Sequence, residues 1–211
     1  MAMASPWRYI LFCMANPPVA SGEVKSPKDR ILDAAADLFY AQGINSVGVD
    51  AIVARSGVAK MTLYKHFGNK DQLVAAWLRR ASEQWRSSIA AAVTRIAPDP
   101  KHRPLAFFDC LAEWFADPDF RGCAFINCLS ELSDPTHPAR IVAAEHRAFV
   151  REFLARLVWD AGYTNHIVLA HSLAMVADGA IVSALAEASP EPARQAAAIA
   201  KVMLANASTT P

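Results

Sequence analysis

The alternating apolar and polar pattern that is typical of β-strands is nearly absent from this sequence of 211 residues. Almost every periodic segment instead repeats its apolar residues at intervals of three and four, which is typical of amphipathic helices. Prolines fall in clusters between these segments and mark the corners between helices. The sequence therefore predicts an all-α fold of about nine helices.

Cysteine and histidine spacings give no sign of a disulfide framework or a metal site. The four cysteines, Cys13, Cys110, Cys123 and Cys128, form no C-x-x-C pair. The histidines show no i, i+4 pair of the kind that holds zinc on a helix. We therefore predict buried, reduced thiols, no metal and no cofactor. A redox role for Cys110, Cys123 or Cys128 is left open.

No uninterrupted run of about 18 apolar residues, the length that a membrane span needs, occurs in the chain. The longest candidate, from Ile167 to Leu185, is interrupted by polar residues. Residues 1–25 hold one small apolar patch behind a single arginine, which is a poor signal peptide. We predict a disordered tail over residues 1–25, no membrane partner and a cytoplasmic location. Whether residues 1–13 belong to the native protein stays open, because translation starting at Met14 would omit them.

Net charge is close to zero, with 21 Lys+Arg against 20 Asp+Glu, so any surface for nucleic acid must be local. Residues 51–70 form such a local exception, since they contain no acid and four basic residues: Arg55, Lys60, Lys65 and Lys70. Basic side chains neutralise phosphates and release counterions. The stretch GVAKMTLYKHFGNK, residues 57–70, is therefore predicted to face DNA.

Two short helices are predicted in this region, at about Val49–Ser56 and Lys60–Phe67, joined by a turn that contains Gly57. This is the arrangement of a helix-turn-helix, whose second helix enters the DNA major groove. The residues expected to face the interior and hold the two helices in place are Ile52, Val53, Val58, Leu63 and Phe67.

The other helices are predicted from caps, glycines and prolines. The first begins after Ser26, with Pro27 in its first turn, and ends at Gly43 in a left-handed cap. Asn69 and Gln72 are typical of a cap that opens a long helix. The later helices are predicted at about 70–97, 102–117, 123–133, 137–161, 164–187 and 191–206.

The segment VDAIVARSGVAKMTLYKHFGNKDQLVAA resembles the DNA-binding head of the tetracycline-repressor (TetR) family of bacterial transcriptional regulators. The likeness covers about residues 27–76, and beyond them the chain is similar to the family only in kind. The resemblance implies that a helix-turn-helix DNA-binding domain, residues 26–70, follows the tail. A helical effector-binding and dimerisation domain, residues 71–207, comes after it.

The resemblance also assigns DNA contacts to seven residues: Lys60, Met61, Thr62, Tyr64, Lys65, His66 and Lys70. The two hydroxyl-bearing side chains and Lys70 fall where family members hold the DNA backbone. Lys60, Met61 and Lys65 fall where base edges can be met. His66 either reaches a phosphate or packs locally. Met61 replaces the small residue of many members, and it either contacts a thymine methyl or projects into the groove without reading a base.

Two further expectations concern the remainder of the chain. By resemblance, a small apolar or aromatic-compatible effector is expected among the middle helices, and the alternative for each candidate residue is packing or helix-to-helix hydrogen bonding. Those candidates are Trp85, Phe108, Trp114, Phe125, Phe149 and Asp178. The last two helices are apolar nearly all round, so they form either the centre of their own core or a subunit interface, and we predict the interface. Its candidate residues are Ala170, Ala174, Ala177, Ala180, Ile181, Ala184, Ile199 and Met203.

The function predicted from these observations is that of a sequence-specific transcriptional regulator. A ligand-released repressor that binds a palindromic operator as a homodimer fits the resemblance best. A transcriptional activator and a ligand-independent DNA-binding protein are the alternatives. An all-helical enzyme would need a readable catalytic pair, and the sequence shows none; we therefore predict no enzymatic activity.

Overall fold

The computed structural model describes residues 25–209, and 77% of these described residues are helical, as the sequence predicts. Nine α-helices lie in this described range, and a short 3₁₀ helix, Pro100–His102, precedes the fifth. They are α1 (Pro27–Gln42), α2 (Val49–Ser56), α3 (Lys60–Phe67), α4 (Lys70–Ile96), α5 (Arg103–Phe115), α6 (Ala124–Glu131), α7 (Pro138–Asp160), α8 (His166–Glu187) and α9 (Glu191–Ala205). The predicted tail lies outside the described residues except for Lys25, and Cys13 lies outside them too.

The predicted caps at both ends of the DNA-binding head are observed. The Ser26 hydroxyl accepts a hydrogen bond from the Asp29 backbone N–H at 3.2 Å, and the Asn69 side chain accepts one from the Gln72 backbone N–H at 2.8 Å. Gly43 ends α1, but its φ of 88° and ψ of 154° are not left-handed helical as expected. These angles fall in a region that is essentially restricted to glycine. Glycine is therefore still required at this position, although for a different conformation from the one expected.

Proline placement explains where the fifth predicted helix differs from the observed one. The sequence suggests a helix over 102–117, whereas residues 100–102 form the 3₁₀ turn and α5 begins at Arg103. The Asp99 carboxylate accepts the Lys101 backbone N–H at 3.0 Å, which caps the 3₁₀ turn instead of a longer α-helix. Pro104 then fits the first turn of α5, where no backbone N–H is required.

The described residues divide into two compact units. The first holds residues 25–85 together with Cys123–Glu145, and the second holds Arg86–Gly122 together with the described residues from His146 onward. Both α4 and α7 are therefore continuous helices that contribute residues to each unit.

The first unit has one apolar core shared by the three head helices, the start of α4, α6 and the start of α7. Its most deeply buried side chains include Ile31, Phe39, Ile52, Leu63, Leu73 and Trp77. The loop between α1 and α2 is bonded to α6, because Glu131 accepts the Asn45 backbone N–H at 2.8 Å and the Asn45 side chain donates to the Glu131 carbonyl at 2.9 Å. The helix α6 thus belongs to the same unit as the three head helices, although it lies far from them in the sequence.

The second unit is built around the two alanine-rich helices. α9 packs against α8 and α5, and α8 also touches α5. Arg147 of α7 donates to the Asp178 carboxylate of α8 at 2.6 Å. By length and mean hydropathy, α8 could cross a membrane, which the interruptions in its sequence did not suggest. This is weak support for a span, because the core helix of a soluble domain passes the same test and 44% of the apolar window is already buried by the chain.

A buried carboxylate ties α1 to α4 within the first unit. Asp33, 8% exposed, accepts from Lys25 Nζ at 2.7 Å and from Arg80 Nη1 at 2.8 Å. The other two guanidinium nitrogens of Arg80 are buried and find no hydrogen-bond partner among the described residues. The Asp33 carboxylate therefore supplies the compensating charge on which burial of Arg80 depends.

Replacing Asp33 by asparagine is expected to lower the free energy of unfolding by about 3–5 kcal/mol, because it leaves Arg80 charged, buried and unpaired. Urea titration followed by circular dichroism measures the change. The matched control is Asp37→Asn on the same helix, whose partner Arg55 is half exposed, and its loss should stay below about 1 kcal/mol. Equal losses in the two variants would contradict the assignment.

Candidate nucleic-acid interface

The turn between α2 and α3 is held in one conformation. Gly57 ends α2 in the left-handed region, with φ 62° and ψ 28°. Arg30 of α1 donates from Nη2 to the carbonyls of Ser56 at 2.6 Å and Gly57 at 3.0 Å. A Cβ added at Gly57 would lie 2.8 Å from the same Nη2. The positive φ is what requires glycine here, whereas the Arg30 guanidinium, at the end of a flexible side chain, could shift to make room for a Cβ.

The helix α3 is fastened along one side and open along the other. Leu63 and Phe67, four residues apart, are 0% and 8% exposed, as the sequence predicts. On the opposite side Met61 is 77% exposed and Tyr64 is 38% exposed. Lys65 and His66 are exposed as well, and Thr62 is half-buried. The candidate DNA-contacting residues of α3 thus lie on the side of the helix that core packing does not use.

Two of the four basic residues in the acid-free stretch are paired with acids from outside it. Lys60 Nζ lies 2.7 Å from the Asp50 carboxylate, whose hydrogen bond and charge raise the pKa of that lysine. Arg55 donates from Nε to the Asp37 carboxylate at 3.1 Å. The local excess of positive charge that the sequence indicates is therefore partly neutralised in the folded chain.

Lys65 and Lys70 keep their charge available for an external partner, since neither has an ion pair within residues 25–209. Lys70 is the first residue of α4, next to the capping Asn69. A cation at the positive end of a helix is unfavourable in isolation. A phosphate oxygen at this position would compensate both the lysine and the helix end.

Comparison with known proteins assigns this arrangement to one family. The family described as "Bacterial regulatory proteins, tetR family" matches residues 31–77. The crystal structure of SCO4454, a TetR-family transcriptional regulator from Streptomyces coelicolor, is 30% identical, with a TM-score of 0.78 over 85% of this chain and 95% of that one. The chain belongs to the TetR family. It is a transcriptional regulator with a DNA-binding helix-turn-helix.

Two other similar proteins share only the fold or only part of their length with this chain. The reduced form of NemR from E. coli has a TM-score of 0.77 over 87% of this chain and 98% of that one, but at 19% identity it supports the fold alone. The HTH-type transcriptional activator FasR from Mycolicibacterium smegmatis is 35% identical over 86 residues. That alignment spans 39% of this chain and 39% of FasR. The similar proteins are regulators and not enzymes, which agrees with the sequence-based prediction.

The six candidate pocket residues of this TetR-family chain are distributed over both units. Trp85 and Phe125 belong to the first, where Phe125 is part of the apolar core, and the other four belong to the second. Phe108 is fully buried, and Asp178 is paired with Arg147, which is the helix-to-helix bond that the sequence left as the alternative. Phe149 receives the Arg86 guanidinium over its ring at 4.2 Å.

Within the second unit, Trp114 differs from the other candidates because it retains unused hydrogen-bonding capacity. Its ring packs edge-on against Phe120 at 5.2 Å between centroids and lies 5.8 Å from Phe115. The indole Nε1 is buried and has no acceptor among the described residues. A buried donor without a partner is costly, which makes the Trp114 N–H a candidate group for a ligand.

The residues predicted for the subunit interface are mostly covered by the chain itself. Ile199 is 51% exposed and Met203 is half-buried, but the other six are each no more than 8% exposed. Those six are Ala170, Ala174, Ala177, Ala180, Ile181 and Ala184. Small side chains allow close packing within the second unit, so these positions leave little area for a partner.

Apart from the predicted Ile199, the most exposed apolar side chains of α8 and α9 belong to residues that the sequence prediction omitted. Val168, Met175 and Val182 follow one another at intervals of seven and are 67%, 65% and 52% exposed. Val202 of α9 is 62% exposed, beside the predicted Ile199. A seven-residue spacing of large apolar side chains is the signal that distinguishes this face from the alanine face.

The cysteines and histidines of the described part of the chain show no grouping suited to a metal ion. Burial raises the pKa of Cys110 to about 12 and that of Cys128 to about 11, so both thiols stay protonated at neutral pH. Cys123 is half-buried. Burial also lowers the pKa of His146 to about 3, helped by Arg86 and Arg147, so that this imidazole is neutral.

Replacing Asp50 by asparagine is expected to strengthen DNA binding about threefold to tenfold at 0.1 M salt, because it frees the Lys60 charge and removes an acid near the reading helix. Fluorescence anisotropy with a labelled duplex measures the affinity. Glu191→Gln on α9 removes an equal charge from another exposed ion pair and should change nothing. Weaker binding by the Asp50 variant would show that the pair positions Lys60 instead of masking it.

Proposed function

We propose that this TetR-family protein is a cytoplasmic repressor that binds a palindromic operator as a homodimer and leaves the DNA when a small molecule binds. The observation that carries the DNA-binding part is the division of α3. Leu63 and Phe67 are buried while Met61, Tyr64 and Lys65 point away from the core. Hydroxyl and lysine contacts to phosphates fix the position of such a helix, and base-edge contacts select the sequence.

Dimerisation is required by the size of the reading element. α3 has eight residues, so one copy meets few base pairs, whereas two copies related by a two-fold axis read two half-sites. The exposed Val168, Met175 and Val182 on α8, with Ile199 and Val202 on α9, supply an apolar surface that a second copy would cover. Regulators of this family typically act as dimers with small-molecule effectors.

The proposed effector is a small apolar or aromatic-compatible molecule in the second unit. Trp114 supports this assignment, because its buried N–H lacks an acceptor and its ring belongs to an aromatic group with Phe115 and Phe120. A ligand releases DNA if it binds better to the conformation that does not fit the operator. No cofactor or metal is needed for this function.

An activator is the second candidate function, and the likeness to FasR favours it, since that protein is named a transcriptional activator. Repression and activation use the same DNA-reading surface and differ in where the operator lies relative to the promoter. In vitro transcription from the neighbouring promoter decides between them: a repressor lowers the transcript yield, whereas an activator raises it.

The DNA assignment is tested by two lysine variants on an operator selected from random duplexes by the purified protein. Lys65→Ala is expected to relax the preference at one base pair by about 1–3 kcal/mol. Lys70→Ala should weaken all sequences alike and lower the salt slope by about 1, because it removes one phosphate contact. Gel-shift titration against single-base operator variants measures both effects.

The matched control for these variants is Lys101→Ala, which removes an exposed lysine from the second unit and should leave affinity and salt slope unchanged. Equal losses on all sequences for both reading-head variants would contradict the division between base reading and phosphate contact. A selected operator without two-fold symmetry would contradict the palindrome.

The homodimer is tested by Val182→Arg, which places a charge in the exposed apolar row of α8. It should give a folded monomer with at least tenfold weaker operator binding, measured by light scattering and anisotropy, because burying an unpaired charge opposes association. Ile141→Arg is the control, since Ile141 is 49% exposed but lies in the first unit, outside α8 and α9. An unchanged dimer mass for Val182→Arg would refute this interface.

A further inference from the structure

A groove of about 690 Å³ lies between the second half of α7 and the start of α8, within the second unit. None of the residues proposed for the effector or for the DNA lines it. Its volume falls in the range of small-molecule sites. Two alanines of α7 form part of the lining, and the side chains that carry chemistry are Arg151, Glu152, Arg156, Trp159, His166 and His171.

The charge of the groove favours an anion. Arg151 and Arg156 lie on successive turns of α7, and neither forms an ion pair with a described residue. Glu152 is the one acid in the lining, so the two guanidinium groups outnumber the carboxylates by one. Guanidinium groups bind carboxylates through paired hydrogen bonds, which a compact ammonium group does not match.

The aromatic groups of the groove favour a flat molecule. Trp159 is 58% exposed, which leaves much of a large apolar ring without protein contacts. The His166 imidazole meets it edge-on, with 4.8 Å between ring centroids. The buried Nδ1 of His166 has no hydrogen-bond partner among the described residues. A ligand oxygen near His166 would satisfy this nitrogen, while a planar ring would cover the indole.

We propose that this groove binds a planar organic anion, an aromatic carboxylate whose ring lies on Trp159 and whose carboxylate is held by Arg151 and Arg156. The site is separate from the proposed effector site at Trp114 and does not depend on it. The six side chains of the groove that carry chemistry indicate which kind of ligand binds, and the proposal does not include an effect of that ligand on DNA binding.

The experiment is isothermal titration of the full chain with 2-naphthoate at 0.1 M salt, with the neutral 2-naphthalenemethanol as the matched probe. We expect one saturable site per chain for the acid and at least tenfold weaker binding of the alcohol. The double variant Arg151→Gln/Arg156→Gln should weaken naphthoate binding at least tenfold, and Trp159→Ala at least fivefold. Arg79→Gln, an exposed arginine of the first unit, should leave it unchanged.

Circular dichroism and thermal unfolding check that each variant is folded. Arg151 is half-buried and Arg156, Trp159 and Arg79 are exposed, so these three variants should pass. Absence of saturable naphthoate binding to the wild-type chain would overturn the proposal. Binding that survives both groove variants but is lost in Trp114→Ala would overturn it too, while supporting the proposed effector site. If the wild-type dimer bound no naphthoate and the arginine double variant were monomeric in light scattering, the groove would be filled by a second copy of the chain, and the proposal would be overturned.

Discussion

Burial of one face of α3 is the constraint on which the DNA-reading surface depends. A helix of eight residues is too short to be stable in isolation, because helix nucleation costs more than so few hydrogen bonds return. Leu63 and Phe67 supply the missing stability by entering the core that Ile31, Phe39 and Ile52 share. The same packing sets the rotation of the helix, and the side chains on its other face are then free to meet bases and phosphates.

The electrostatics of this surface follow from the fold and not from the local sequence. Residues 51–70 contain no acid, yet Asp37 of α1 and Asp50 of α2 reach Arg55 and Lys60 once the helices pack. Because exposed ion pairs are weak, DNA phosphates can compete with both acids for these cations. The two pairs lower the local excess of positive charge, whereas Lys65 on α3 has no ion pair within residues 25–209.

The local elements of this protein could be predicted because their signals are local. Ser26, Asn69, Gly57 and the proline clusters fix helix ends through capping and backbone preferences that act within a few residues, and α2 and α3 begin and end where the sequence indicates. The faces of α8 and α9 could not be predicted in the same way. When a helix is apolar on every side, periodicity does not say which side is covered. Alanines took the inner positions because they allow close packing, and the larger Val168, Met175 and Val182 stayed outside.

Long-range contacts were the other part of the structure that the sequence did not indicate. They help to determine the position of the DNA-reading head. Asn45 and Glu131 are 86 residues apart, yet their two hydrogen bonds join α6 to the loop that precedes α2. The position of the head therefore depends on a segment outside the helix-turn-helix. α4 and α7 each supply residues to both units, and α4 begins at Lys70, the residue that we propose holds a DNA phosphate. A displacement of the start of α4 would therefore move Lys70 together with Leu73 and Trp77, which belong to the same core as Leu63.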